Sequence, residues 1–557
     1  MKKDIKVANR QLERNKADWV KDDLKRFFQY FSSKRTVMEY LECIRNSKGE
    51  LRNTGSEIAD ALNLYFSEVF TSNEVDNLPE VNMTTKEAAF LDQRPLVIVE
   101  LVRRWPLPVL SLVRLLQGCH HYHYDLSQDR PSRCCLQAVL LTIVKNLTEK
   151  TRNGRRVLRV LDLCGVQDEG GRPEPNSMGG LSRTVAIAKA CLEVAKVRRG
   201  ENTTESASKR RRNTAYIEDT EVVQSLALEV EVRADMFVNA SSYECVKQAL
   251  QAKGPMRLLC RDLRAEELSA QRTATLLELL EALPLRRVDL RYNNLGLAGI
   301  NLLLPILAKF PSLMSLRLLY INVDVRHGTP DTESGLREMA AGLGRLRKLR
   351  ELNLTSLRLS NKLRLLLSSL ERALEVVELN YFYLTSSDLY YLAESPHACF
   401  LRKLDLSGNS FSEALIPPLQ RLLCEASASL RYLVLSGCNL TDHLVGTLLT
   451  SLRRCRNLYS LGCSLNPIST EGLMSLVLVA TELPQLQLLV HPQPTDCYED
   501  GLPQPPSYYN LMEFPVNPDR LVQALAELRK AVEQKGRTDL VLSTDLYNYR
   551  TADLLEE

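Results

Sequence analysis

Residues 285–295 read LRRVDLRYNNL, in which Val288 and Leu290 alternate with charged residues. Alternation with a period of two is typical of a short strand that buries one face. Asn293 follows this strand, where a side-chain amide would satisfy backbone groups that an inward turn of the chain leaves exposed to the core. One such unit has too small an apolar edge to form a core alone, so the stretch predicts further copies in the chain.

The frame of the pattern L-x-x-L-x-L-x-x-N/C-x-L does return along the chain. Copies begin at Leu285, Leu313, Leu349, Leu374, Leu401, Leu430 and Leu458, with a weaker one at Leu486, so the starts are 28, 36, 25, 27, 29, 28 and 28 residues apart. Apolar residues between the copies have helical spacing, as in residues 296–310. The sequence therefore predicts an α/β fold, a leucine-rich repeat solenoid shaped as a horseshoe, with about 28 residues per repeat. The longest step contains an insertion, residues 324–334, that we expect to be a loop.

Composition limits the classes of protein that remain. The chain has 557 residues, of which 45% are hydrophobic, and its formal net charge of +4 implies no general attraction to nucleic acid. The 14 cysteines show no paired spacing, so we expect reduced and mostly buried thiols. The polar N-terminus does not resemble a signal peptide, and no run of about 18 apolar residues predicts a membrane span. These features favour a cytoplasmic protein.

The repeat frame also suggests how the chain is organised. We predict a helical extension (1–82), an N-terminal cap with atypical repeats (86–254), the leucine-rich repeats (255–495) and a C-terminal cap (496–557). Residues 196–214 lack aromatic side chains and are highly polar, so they are expected to form a disordered insertion. In the C-terminal cap, residues 519–533 have one apolar helical face and residues 539–543 have the pattern of a strand.

The strand positions beside the buried leucines are the candidate binding residues. They are expected to point outward from the concave face, where solenoids usually bind their partners. Arginine and tyrosine, which dominate protein interfaces, recur there. The predicted partner-binding residues are Arg287, Asp289, Arg291, Tyr292, Arg317, Tyr320, Glu351, Asn353, Glu378, Tyr381, Lys403 and Tyr432.

Other motifs are less specific. Residues 119–124 read CHHYHY and precede Cys134 and Cys135, but their spacing matches no common zinc finger, so a polar loop is preferred to a metal site. The run Lys209, Arg210, Arg211 and Arg212 would suit either a solvated loop or a nuclear import signal, which would add the nucleus as a compartment. No phosphate-binding loop, nucleophile elbow or zinc protease motif is present. We therefore predict no enzymatic activity, no cofactor and no bound metal.

Residues 1–82 share no frame with the repeats. The stretches KRFFQYFSSKR, NSKGEL and ALNLYFSEVFTS resemble the linker before the reverse transcriptase domain of vertebrate LINE retrotransposon polyproteins. The catalytic aspartates of that enzyme are missing, so the segment is interpreted as a fused fragment without its activity. A native helical extension is the other interpretation. Because the segment is basic and aromatic, RNA binding is an alternative function, although nucleic acid is not the favoured partner.

From about Ala88 onward the chain resembles the PRAME-like family of leucine-rich repeat proteins. The segments that carry the resemblance lie at 88–119, 158–170, 259–268, 285–297, 395–409 and 490–506. The resemblance implies a horseshoe-shaped adaptor. It also implies a negative regulator of NF-κB signalling that binds an inhibitor of kappa-B kinase, or a substrate receptor that joins elongin and cullin 2 in a RING ubiquitin ligase. The elongin-binding helix typical of the family has no match before Ala88, so the adaptor is the favoured prediction.

Overall fold

The computed structural model describes residues 44–45, 51–52, 95–103, 105–117, 133–148, 157–166, 179–199, 229–323, 330–545 and 554–555. Its strands are β1 Ile44–Arg45, β2 Leu51–Arg52, β3 Val109–Ser111, β4 Val160–Leu163, β5 Val230–Val238, β6 Met256–Ala265, β7 Arg287–Asp289, β8 Ser315–Arg317, β9 Glu351–Asn353, β10 Val376–Glu378, β11 Lys403–Asp405, β12 Tyr432–Val434, β13 Ser460–Gly462, β14 Leu488–Val490 and β15 Val541–Ser543.

Helices alternate with these strands. They are α1 Pro95–Arg103, α2 Leu112–Gln117, α3 Arg133–Thr148, α4 Gly180–Arg199, α5 Tyr243–Gln251, α6 Ala270–Leu279, α7 Gly296–Leu307, α8 Pro330–Gly344, α9 Leu363–Leu367, α10 Ser386–Glu394, α11 Ile416–Glu425, α12 Asp442–Leu452, α13 Thr470–Glu482, α14 Tyr508–Glu513 and α15 Pro518–Gln534. Short 3-10 helices cover Ala398–Phe400, Glu413–Leu415 and Thr495–Cys497.

Strands β3 to β15 form one sheet whose order in space is their order in the chain. Neighbours in this sheet are parallel, and from β7 to β14 the repeats pair in one register, so that Val377 lies between Leu352 and Leu404. A connecting helix returns the chain to the start of each following strand, as parallel pairing requires. The predicted leucine-rich repeat solenoid is therefore confirmed.

The apolar side chains of all these units form one continuous core. It extends from Ile98 to Leu540 and contains the central residue of each strand from β7 to β14, for example Leu404 and Leu433. Adjacent helices also pack against each other on the outer side of the sheet. Each unit thus buries its apolar edge against its neighbours, as expected when a single repeat cannot bury it alone.

The asparagines that follow the strands join consecutive repeats, as the pattern predicts. Asn409 Nδ2 donates to the carbonyl oxygens of Leu379 and Leu406, both at 2.8 Å, and Asn409 Oδ1 accepts from Leu384 N at 3.2 Å. Asn293 and Asn466 make corresponding bonds in their own repeats. These amides therefore satisfy buried backbone groups that belong to two different units.

The N-terminal part of the sheet contains more strands than the repeat pattern predicts. Strands β3 and β5 were not predicted, although residues 230–238 (VEVRADMFV) alternate in burial as a strand should. Strand β6 covers ten residues, more than three times the length of the strands in the later repeats. The periodic template missed β3 and β5 because their sequences do not carry the leucine spacing of the later repeats.

Three predicted loop or extension segments need correction. Residues 330–334, the end of the predicted insertion loop, form the first turns of α8, and residues 324–329 lie outside the described residues. Residues 196–199 end α4 instead of beginning a disordered insertion, and the remainder of that insertion lies outside the described part of the chain. In the predicted helical extension, the described residues Ile44–Arg45 (β1) and Leu51–Arg52 (β2) form an antiparallel pair.

The end of the sheet is covered by the elements predicted there. Helix α15 turns Ala524, Leu528 and Val532 toward the protein, and β15 pairs in parallel with β14. Arg537 donates to the carbonyl oxygens of Leu483 and Leu486 at 2.7 and 2.6 Å, which joins this region to the last repeat. A terminal repeat that would expose its apolar edge is thereby protected from solvent.

The asparagine contacts predict a large effect on stability. Replacing Asn409 with Ala should lower the free energy of unfolding by about 3 kcal/mol, because buried backbone groups of two repeats lose their partner. Asn457→Ala is a matched control, since this exposed side chain makes one bond, to Ala428 O, and it should cost less than about 1 kcal/mol. Urea unfolding of both variants measures this difference. Equal losses of unfolding free energy would contradict the stabilising role of the asparagine contacts between repeats.

His397 predicts a dependence of stability on pH. Its Nδ1 accepts from Leu374 N at 3.1 Å, so the ring must be neutral there, and burial lowers the pKa of this side chain although a bond to the Leu367 backbone opposes that effect. Its stabilising contribution is complete above the unfolded-state pKa of about 6.5 and is lost as the pH falls through the lower folded-state value. Denaturant unfolding should show that the free energy of unfolding decreases between pH 7.5 and pH 5.

In His397→Gln, the free energy of unfolding should decrease less as the pH falls, because the group that titrates at this site is gone. His443→Gln provides the matched control, since His443 is exposed on α12, and it should leave the decrease unchanged. A His397→Gln profile parallel to that of the unmodified chain would refute the assignment.

Candidate protein-binding surface

The side chains predicted to point from the concave face form two rows across the sheet. One row crosses Arg287, Ser315, Glu351, Val376, Lys403 and Tyr432, and the other crosses Asp289, Arg317, Asn353, Glu378, Asp405 and Val434. Adjacent positions in a row belong to neighbouring strands, which lie about 4.8 Å apart. Long polar side chains at that spacing reach each other directly, so the contacts within the rows decide which groups remain available to a partner.

We use the term charged network for the ionic side chains that pair along these rows. Its members are Asp262, Arg287, Asp289, Arg291, Arg317, Glu351, Glu378 and Lys403. Glu351 lies at its centre, because Arg317 binds one carboxylate oxygen and Arg287 Nη2 is 3.6 Å from the other. Glu378 binds Lys403 Nζ at 2.6 Å and also accepts from the amide of Asn353.

The pKa shifts of this network agree with mutual pairing. Burial opposes the charge of Arg317, but the carboxylates of Glu351, Glu378 and Asp289 outweigh it and raise the pKa of that guanidinium. Burial also opposes the charge of Glu378, yet Lys403 and Arg317 lower the pKa of its carboxyl. The charges on this part of the sheet therefore stabilise one another within the free protein.

The prediction that the whole set points into solvent is wrong for five members. Asp289, Glu351, Asn353, Glu378 and Tyr432 are buried, with Glu351 only 2% exposed. The physical reason is that the side chains of neighbouring strands cover each other: carboxylates lie under arginine and lysine side chains, and the ring of Tyr432 packs against other apolar groups. Arg287, Arg291, Arg317 and Lys403 are partly buried by the same contacts.

The tyrosines at the strand ends behave differently. Tyr292, Tyr320 and Tyr381 are 54%, 44% and 39% exposed. The rings of Tyr292 and Tyr320 stack with centroids 5.2 Å apart and an interplanar angle of 9°. We call Tyr292, Tyr320, Tyr381 and Tyr508 the tyrosine row; it presents preordered aromatic surface beside the charged network.

The backbone at these positions is left-handed. The φ angles of Tyr292, Tyr320 and Tyr381 are 54°, 54° and 53°, and the same position is occupied by Gly408 and Gly437 in later repeats. A residue with a side chain pays about 1–2 kcal/mol for this conformation, whereas glycine adopts it freely. Three tyrosines thus stand where glycine would be more stable, at a repeat position that Ser356 and Leu465 also occupy with a left-handed backbone.

Sequence reasoning missed the part of the row that the C-terminal region supplies. The ring of Tyr381 lies over Gly408 and that of Tyr508 over Gly437, so that a Cβ at either glycine would collide with a ring. Burial, followed by a hydrogen bond to Tyr508, raises the pKa of Tyr381. Tyr508 carries no repeat signature, and only the folded chain brings it to the ends of the strands.

The remaining predicted sites are mostly outside the described residues. This holds for the cluster at 119–124 and for Lys209, Arg210, Arg211 and Arg212. Cys134 and Cys135 belong to α3, where the first is exposed and the second is buried. Among the residues that the structure describes, no group of His, Cys, Asp or Glu is arranged to hold a metal ion. None of the described helices is long and apolar enough to cross a membrane.

The network predicts that Arg317 supports folding and is not only a contact residue. Arg317→Ala should lower the free energy of unfolding by about 3 kcal/mol, because it leaves the buried carboxylate of Glu351 with weaker compensation. Arg421→Ala is the matched control, since its 2.9 Å pair with Glu394 is exposed to solvent on both sides and is worth less than about 1 kcal/mol. Chemical denaturation measures both losses, and a negligible effect of Arg317→Ala would show that the network contributes little.

Comparison with known proteins gives this architecture a family. The PRAME C-terminal domain matches residues 222–542. Leucine-rich repeat-containing protein 14 of Xenopus laevis is 43% identical over 482 residues, which cover 84% of this chain and 93% of that protein. The human protein of the same name is 39% identical over 476 residues, 84% of this chain and 92% of its own length.

A solved structure was also compared. The leucine-rich repeat-containing protein LegL7 from Legionella pneumophila is similar over 56% of this chain and 91% of its own, with 15% identity and a TM-score of 0.34. The family assignment does not depend on that likeness, because the sequence matches extend over most of the chain. This repeat scaffold for protein interactions belongs to the PRAME family of leucine-rich repeat proteins.

Proposed function

We propose that this chain is a non-enzymatic adaptor that binds a protein partner through the tyrosine row and the adjoining rim of the concave face. The observation that carries the proposal is the exposure of Tyr292, Tyr320 and Tyr381 in a left-handed conformation that glycine would adopt at lower cost. Tyrosine supplies a large, rigid contact area together with a hydroxyl group, and it is enriched among the residues that dominate binding energy.

The charged network supports the same proposal indirectly. Because its carboxylates are already paired, the sheet behind the tyrosine row is rigid and loses little side-chain freedom when a partner binds. The partly exposed guanidinium of Arg291 lies close to the row in sequence and is held by Asp289. We therefore expect an interface with an aromatic centre and a polar rim, as is common in protein complexes.

As the specific partner we propose an inhibitor of kappa-B kinase, and as the cellular role negative regulation of NF-κB signalling in the cytoplasm. Support comes from the resemblance to PRAME-like proteins over residues 88–557. The alternative role is that of a substrate receptor that recruits elongin and cullin 2 for a RING ubiquitin ligase, with the concave face holding the substrate. In either role the tyrosine row would contact the client.

Substitution by glycine separates binding from folding. Tyr292→Gly combined with Tyr320→Gly should reduce affinity for the purified kinase by about 30-fold or more, the effect of losing a hot spot. Folding stability should change by less than about 1 kcal/mol, because glycine relieves the left-handed backbone. Calorimetric titration and urea unfolding give the two quantities.

Tyr390→Ala is the control, since Tyr390 is exposed on α10 on the outer side of the solenoid, and its affinity for the kinase should equal that of the unmodified chain. Unchanged kinase affinity in the double glycine variant would place the binding surface elsewhere. If the kinase does not bind while elongin and cullin 2 copurify, the ligase role replaces the kinase role.

A further inference from the structure

The buried state of Tyr432 has an unusual cause. Its ring forms a small apolar cluster with Val376 and Leu554, separate from the main core. Val376 and Tyr432 belong to the concave rows of β10 and β12, whereas Leu554 lies three residues from the end of the sequence. A residue from the chain's own C-terminal segment therefore covers the concave aromatic that sequence analysis assigned to a partner.

Polar contacts hold the same segment. Arg402 Nη1 donates to the carbonyl oxygen of Leu554 at 2.9 Å, across 152 positions of sequence. Leu554 and Leu555 are 5% and 6% exposed, values typical of core residues and far below those of unattached chain ends. A leucine pair buried in this way, with its backbone engaged by an arginine, has the features of a bound peptide.

The surface beside Leu554 extends further than the leucine pair. A cavity of about 800 Å³ shares Arg402 and Tyr432 with the tail contact and is also lined by Phe400, Arg431 and Tyr459. The rings of Tyr432 and Tyr459 are tilted, with centroids 5.7 Å apart. Aromatic walls with guanidinium groups at their edge suit a ligand that is apolar in one part and acidic in another.

The sequence of the tail has this composition. The last five residues are DLLEE, in which two leucines are enclosed by acidic residues. The leucines match the apolar cluster of Val376 and Tyr432. Arg402 pairs with Glu375, which also lines the cavity, at 3.7 Å, and the acidic residues beside the leucines in the sequence carry the charge that Arg402 and Arg431 attract. Both the contacts of the described residues and the charges of the sequence therefore identify one kind of occupant for the groove.

We propose that the groove formed by Val376, Arg402, Tyr432 and Tyr459 is a binding site for a leucine-pair segment with acidic flanks, and that the chain's own C-terminus is its resident ligand. The segment thereby competes with any client that uses this part of the concave face. This regulatory consequence rests on the proposed adaptor function, whereas the recognition of the segment by the groove does not.

The competition has a simple quantitative form. A tethered ligand acts at an effective concentration of about a millimolar, so it occupies the groove when the dissociation constant of the free segment is lower than that. The tethered tail then weakens the apparent affinity for the same segment added as a free peptide. The factor equals the effective concentration divided by the dissociation constant of the free segment. For a dissociation constant of about 0.1 mM the expected weakening is about tenfold.

A labelled peptide of residues 550–557 (RTADLLEE) tests the proposal against the full-length chain by fluorescence anisotropy. The full-length Leu554→Ser/Leu555→Ser variant should bind the peptide about tenfold more tightly than the unmodified chain, since its own tail no longer competes. Leu283→Ser, at an exposed leucine remote from the groove in sequence, should bind like the unmodified chain. Equal affinity for the double serine variant and the unmodified chain would overturn the proposal, as would no binding by either chain up to millimolar peptide.

Two further measurements locate the site. The peptide RTADSSEE should not bind the double serine variant, and this comparison changes only the peptide. Arg402→Ala in that variant should weaken peptide binding about tenfold, as expected for a hydrogen bond from a charged donor. If Arg402→Ala binds the peptide normally, the groove assignment is wrong. If the client binds none of these chains while the peptide results are as expected, the adaptor function is contradicted and the groove assignment stands.

Discussion

Every repeat of this solenoid must turn inward after a strand of three residues, and the backbone groups at that turn are then buried. Asn293, Asn409 and Asn466 supply the missing partners, and each of them bonds to groups in two consecutive units. An unpaired buried amide or carbonyl costs about 1–3 kcal/mol, so the units are stable only when stacked in register. The corresponding positions of other repeats hold Ile321, Leu357, Phe382 and Cys438. The parallel sheet and the continuous core therefore rest on apolar stacking as well as on these bonds.

Because the repeats stack in one register, equivalent side chains of consecutive strands lie next to each other, at the distance that separates neighbouring strands. On the concave face this brings both Arg287 and Arg317 to Glu351, and it gives Glu378 the partner Lys403. Groups that could have contacted a client instead hold the sheet rigid. The surface that remains exposed lies at the strand ends, where Tyr292 and Tyr320 have a left-handed backbone and stand outside the charged network. Paired charged groups and exposed aromatic groups thus occupy different positions of the same repeat.

Contacts remote in sequence then modify this surface. The C-terminal region contributes Tyr508 to one edge of the concave face and Leu554 to the other. Together they reduce the open part of the sheet between β10 and β12, where the strands are otherwise short and regular. A solenoid whose C-terminal region folds back in this way has a concave face that is open over a limited length.

The amino-acid sequence by itself determined the repeat frame, the strand and helix of the repeats from Leu285 onward, the role of the asparagines, and the helix and strand near the C-terminus. It could do so because each of these depends on residues close together in the chain, with a period set by strand and helix geometry. It did not determine which concave side chains are exposed, nor that Tyr432 is covered, nor that residues 330–334 are helical. Pairing across strands, such as Arg317 with Glu351 over 34 positions, and the return of Leu554 over 152 positions to Arg402, decided those features. Only the tertiary structure sets such distances, because they follow from stacking whole repeats and not from the order of residues within one.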